Sequence, residues 1–165
     1  MRDISLIMCY NTNMIIAFFG HADFVTSNDK ENKIFDTLIK LISKNSSQQT
    51  KIEFYLGGYG NFDKTAKKIC LQIKQIYKNS KLCFVTPYQN ENYLKKHRDN
   101  FDEIILPDTN NVPPKYAIQK RNFWIVRKAD FIISYINHPF GNSIKYIKYA
   151  QKIKKEYINL GTYNI

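Results

Sequence analysis

One hundred and sixty-five residues with a mass of 19.5 kDa suffice for a single domain with a core and are too few for two ordinary ones. Hydrophobic residues at 44% and aromatics at 15% exclude a disordered chain, and no apolar run approaches the ~18 to 20 residues that span a bilayer. The 25 Lys and Arg against 14 Asp and Glu leave a formal charge of +11, which attracts polyanions through counterion release and keeps nucleic acid among the partners.

Residues 1–13 carry too short an apolar stretch for a leader and read as a loose extension of a domain over 14–165. Met14 to Phe19 is a buried strand. Asn28-Asp29 opens a helix with Ile34, Phe35, Leu38, Ile39 and Ile42 on one face, and Lys44 to Thr50 is the return loop. Ile52 to Leu56 is the second strand. Asn61 or Asp63 can cap the next helix, whose Ala66, Ile69, Cys70, Ile73 and Ile76 keep helical spacing. Leu82 to Val85 is the third strand, Asn90 to Asn100 a short helix and Glu103 to Leu106 a weak fourth strand. After the stop at Val112-Pro113-Pro114 come a helix carrying Ala117 to Arg127 and the most apolar strand, Phe131 to Ile136. A last helix with Ile144, Ile147 and Ala150 and a closing strand, Tyr157 to Leu160, complete the chain.

Strands apolar on both faces, alternating with helices, imply an α/β fold: one Rossmann-like domain, a mostly parallel sheet with helices on both faces. Cys9, Cys70 and Cys83 are odd in number with no CxxC spacing, against a disulfide framework or a zinc site and in keeping with a reducing cytoplasm. The lysines are spread along helix faces, as on solvated surfaces.

Ligands of such sheets bind beyond the carboxyl ends of the strands. Four unusual loops fall there: Gly20-His21, then Gly57-Gly58-Tyr59-Gly60-Asn61, then Thr86-Pro87-Tyr88, and Asn137 to Ser143 with Gly141-Asn142-Ser143 opening the last helix. Glycines let an anion reach the main chain and a following helix aims its free N–H groups at it, so these loops suit phosphate. A tight β-to-α turn explains the glycines equally well. The GxGxxG fingerprint and a Walker lysine are both absent, which sets aside a conventional NAD dehydrogenase and a P-loop NTPase.

The series Phe19-Gly20-His21, Gly57-Gly58-Tyr59-Gly60-Asn61-Phe62-Asp63, Val85-Thr86-Pro87-Tyr88, Ala117 to Val126, Ala129-Asp130-Phe131-Ile132-Ile133 and Gly141-Asn142-Ser143 resembles the SLOG superfamily. That group joins DprA/Smf proteins with the Lonely Guy proteins, and the series is most similar to its DUF1273 or YpsA-like branch. The resemblance implies a domain that binds nucleotides or nucleotide-derived ligands. Its enzymatic members, phosphoribohydrolases, use an Arg upstream of the ADxFI strand and a Glu after a glycine loop. Arg121 occupies the first position, but Ile144-Lys145 stands where the Glu belongs. N-glycosidic cleavage needs a carboxylate to steady the cationic sugar or activate water, and neither residue supplies one.

The main expectation is a sensor or binding protein for a phosphate- or ribose-containing small molecule, with no required cofactor. It is held by Gly20, His21, Gly57, Gly58, Tyr59, Gly60, Asn61, Thr86, Pro87, Tyr88, Arg121, Gly141, Asn142 and Ser143. Tyr59 and Tyr88 can stack on a base or cover the sheet edge, Arg121 can fork a phosphate or pair on the surface, and Asn142 or Ser143 can be a plain cap. One alternative is an N-glycosidic-bond enzyme, a phosphoribohydrolase or deoxyribosyltransferase relative, with Asp63 as the acid beside Arg121. A second is DprA-like binding of single-stranded DNA. His97 reads as a solvated surface residue, Trp124 as core, and no His, Cys or carboxylate cluster suggests a metal. Superfamily members are often oligomers, so self-association is also expected.

Overall fold

In the computed structural model, which describes residues 12–108 and 111–165, six strands form one sheet in the order β4-β3-β2-β1-β5-β6, every neighbouring pair parallel. The strands are β1 (Asn13–Gly20), β2 (Lys51–Leu56), β3 (Ser80–Val85), β4 (Glu103–Ile105), β5 (Phe131–Tyr135) and β6 (Glu156–Asn159). Between them lie α1 (Asn28–Asn45), α2 (Gly60–Ile76), α3 (Glu91–Arg98), α4 (Ala117–Lys128) and α5 (Ser143–Lys152). Successive strand residues point to opposite faces, and both faces are covered here. Met14, Ile16 and Phe18 of β1 pack with Ile34 and Leu38 of α1 and Ile69 and Ile73 of α2. Ala17 and Phe19 pack on the other side with Ile125 and Val126 of α4 and Ile147 of α5.

The expected extension over residues 1–13 falls, up to residue 11, outside the described residues; Asn13 already pairs with Lys51 in β1. Helix α1 runs through Asn45, further than the expected loop from Lys44, because Asn45 and Ser46 turn their side chains back onto the carbonyls of Leu41 and Ile42. The closing strand starts one residue early, since Glu156 pairs with Phe131. A 3₁₀ turn, Pro114–Tyr116, precedes α4. Trp124 is half-buried and lies parallel to Tyr55 with ring centroids 6.0 Å apart. His97 is a correction: it is half-buried, stacked on Phe84 at 4.2 Å, because α3 lays that ring over the end of β3. No helix among the described residues is long and apolar enough to cross a membrane.

Candidate functional site

The chain builds outward from β1 to β4 on one side and then returns to place β5 on the other, so strand order reverses between β1 and β5. Loops leaving two such strands diverge over opposite faces and open a crevice at their carboxyl ends. A cavity of about 460 Å³ lies there, within the ~300 to 1,000 Å³ of small-molecule sites. Its wall is assembled from the end of β1 (Gly20, His21, Asp23), the loop after β2 (Gly57, Tyr59), α4 (Arg121, Asn122) and the loop after β5 (His138, Phe140 to Ser143), with Asp63 of α2.

Of the residues expected at the site, Gly20, His21, Gly57, Tyr59, Asp63, Arg121, Gly141, Asn142 and Ser143 therefore come together. Gly58, Gly60 and Asn61 do not line this cavity, and neither do Thr86, Pro87 and Tyr88. Strand β3 is two strands from the reversal, so its loop closes the structure nearby instead. Thr86 is fully buried and its hydroxyl accepts the Tyr88 N–H. Tyr88 packs edge-on against Tyr93, whose hydroxyl meets that of Tyr59 at 2.9 Å. Asp23, Asn122, His138 and Phe140 also stand in the wall. His138 and Phe140 lie in the loop the sequence marked, and Asp23 stands two residues after His21, which is the signal each offered.

Two N–H groups of the glycine loop are already engaged. Tyr59 N–H donates to the Asp63 carboxylate at 2.8 Å and Asn61 N–H to the Ala22 carbonyl at 2.9 Å. Neither Asn61 nor Asp63 is the N-cap of α2. The cap residue is Tyr59, and Asp63 acts from one turn inside. Helix α5 offers the opposite arrangement. Its cap residue Asn142 makes no side-chain cap bond, the Ser143 hydroxyl turns away to the Gly20 carbonyl, and the start of the helix opens on the cavity. Free N–H groups and the macrodipole at a helix start favour an anion.

Arg121 is the charge in this site. It is 2% exposed, its Nη1 donates to the Val85 carbonyl at 2.7 Å, and its Nε has no partner. The guanidinium lies against Gly57, where a Cβ would stand 2.4 Å from Nη1, and 5.5 Å from the Tyr59 ring centre. Burial works against its charge, and the Asp63 carboxylate is the strongest influence in its favour. Yet no carboxylate lies within ion-pair distance of Arg121 among the described residues. Burial in turn pushes Asp63 up to about 6, against the pull of the Tyr59 N–H and Arg121. Near neutral pH the guanidinium and a mostly ionised Asp63 thus share the wall without forming an ion pair.

His21 is buried and stacked on His138 with ring centroids 3.7 Å apart. Its Nε2 accepts the Asn137 N–H at 3.2 Å, while Nδ1 of His138 has no partner. Burial first, then the neighbouring His138, holds His21 below its ordinary value, with Asp23 opposing. Donor atoms of His21, Asp23 and His138 lie within 4.8 Å of one another, a cluster that the sequence spacing did not reveal. Stacked rings direct their lone pairs in near-parallel planes, so chelation would require one imidazole to turn.

No family model and no curated relative matches the chain. Among solved structures it is similar to DNA processing protein A from Streptococcus pneumoniae, with a TM-score of 0.57 and 16% identity over 88% of this chain and 50% of that one. It is also similar to DNA processing protein A from Helicobacter pylori, whose structure was described for its single-stranded DNA binding mode. There the TM-score is 0.55, with 15% identity over 88% of this chain and 64% of that one. The chain spans between half and two-thirds of the length of these proteins, and what the likeness establishes is a shared Rossmann-like fold.

Proposed function

We propose that the chain binds single-stranded DNA and seats one nucleotide unit in the cavity between β1 and β5, its phosphate between the start of α5 and Arg121. The observation that carries this reading is the Arg121 guanidinium, buried in the cavity wall with an orphaned Nε and no ion-pair partner among the described residues. An approaching anion would neutralise that charge where water screens it least. The +11 charge supports a polyanion over a single small anion, and the fold shared with a single-stranded-DNA-binding protein supports the same choice. Phe140, 74% exposed on the cavity wall, and Tyr59 offer faces on which bases can stack whatever their sequence.

The second reading, a free nucleotide-derived ligand as expected for a YpsA-like sensor, is favoured by the size of the cavity. The test is fluorescence anisotropy of an oligothymidylate of about 16 residues, titrated between about 50 and 200 mM salt, with wild type and Arg121→Met. Binding should weaken steeply with salt, and the variant, its fold checked by circular dichroism, should lose affinity by about 10- to 100-fold. An oligonucleotide that does not bind at the low-salt end overturns the proposal. Binding of thymidine monophosphate alone would establish the second reading, and release of free thymine from it would identify an N-glycosidic enzyme.

A further inference from the structure

A second cavity, of about 250 Å³, lies on the other side of the loop between β2 and α2, lined by Leu56, Gly58, Asp63, His97, Asn100 and Phe101 together with Lys64, Lys67 and Lys96. The two cavities share Asp63, and the loop is the saddle between them, Gly57 and Tyr59 facing one side and Gly58 the other. The ion pairs among the described residues join Lys68 to Glu31, Lys74 to Asp102, Lys81 to Glu103 and Arg98 to Glu91. Lys64, Lys67 and Lys96 have none. Lys67 is half-buried, its ammonium donating to the Asn100 amide oxygen at 3.2 Å and standing 4.6 Å from the Phe101 ring centre. Their field is felt locally: after burial, the charges of Lys67 and Lys96 are what hold His97 below its ordinary value.

We infer that this lysine cleft is a second phosphate site, which takes the backbone of the same DNA strand where it crosses the glycine saddle from the cavity of Arg121. The inference rests on the single-stranded-DNA reading above. Exposed ammonium groups act on a phosphodiester as point charges, and each neutralised phosphate releases counterions, giving a slope of about −0.7 in log K against log salt for a single strand. The experiment compares that slope for wild type, for Lys64→Ala/Lys96→Ala and for Lys148→Ala/Lys152→Ala, which removes equal charge from exposed positions on α5, using an oligothymidylate of about 16 residues. The cleft variant should flatten the slope by about 1.4 and the α5 variant should leave it near wild type. Lys64→Arg/Lys96→Arg should restore it. Equal slopes in the cleft and α5 variants overturn the cleft alone. A wild-type protein that ignores the oligonucleotide overturns the binding reading and the cleft with it.

Discussion

The two sides of the loop between β2 and α2 carry positive charge in opposite ways. On one side a single guanidinium is buried, tied to a main-chain carbonyl and backed by a half-buried carboxyl. On the other, Lys64 and Lys96 stand exposed beside the half-buried Lys67. Salt screens exposed charges over about 10 Å at 0.1 M but reaches a buried one poorly. The buried side therefore fixes where one anion sits, and the exposed side gathers more of the same polymer without fixing its register. Adjacent glycines divide these sides: a Cβ on Gly57 would meet Arg121 Nη1 at 2.4 Å, and one on Gly58 would meet the Phe84 ring at 2.6 Å.

That division can be broken one glycine at a time. Gly58 has φ of +73°, where an L side chain is strained, and Phe84 packs against the rings of both His97 and Phe101 at 4.2 and 5.0 Å. Gly58→Ala should cost about 3 kcal/mol and lower Tm by roughly 6 to 12 °C; an unchanged melting curve would show that the ring yields freely. Gly57 has no such backbone demand, and its obstacle is the end of a long side chain. Gly57→Ala should keep Tm within about 3 °C and weaken oligothymidylate binding about 10-fold, because the guanidinium is displaced from the wall. Full affinity in this variant would mean that the placement of Arg121 does not matter to the ligand.

The alternation of apolar strands and amphipathic helices specified every strand of this sheet, since β1, β2, β3 and β5 carry buried residues on both faces and each helix is buried on one. What alternation does not encode is strand order, so four loops carried equal weight although the chain brings only those after β1, β2 and β5 to the reversal point. Thr86 to Tyr88 follow a strand as faithfully as Gly57 does, but they follow the wrong neighbour. Arg121 was legible through its place before Ala129-Asp130-Phe131-Ile132, whereas its burial depends on the Val85 carbonyl, 36 residues away. The stack of His21 on His138 spans two strands and could not be read from the spacing of either residue. The cleft lysines looked like any solvated helix face, because only the packing of α3 beside α2 turns that face into a concave one.

Asp63 stands on both walls, and it makes the smallest but sharpest test of the comparison. Its carboxyl is raised from 3.8 to about 6, burial outweighing the Tyr59 N–H and Arg121. A folded value above the unfolded one means that the folded protein holds this proton more tightly. The stability so gained is complete below about pH 3.8 and is lost as pH rises through about 6. Ionised Asp63 also repels a phosphodiester, whose own charge does not change in this range. Oligothymidylate affinity should therefore fall several-fold between about pH 5 and 7.5. His21, Asp23, His138 and Arg121 face the first cavity, and Lys64, Lys67, Lys96 and His97 the second. All of them remain in Asp63→Asn, which keeps an oxygen for the Tyr59 N–H. The part of the pH profile that vanishes in the variant belongs to Asp63, and the part that persists belongs to other groups. A profile identical in both proteins would place the bound phosphate beyond the reach of this carboxyl, and with it beyond Arg121.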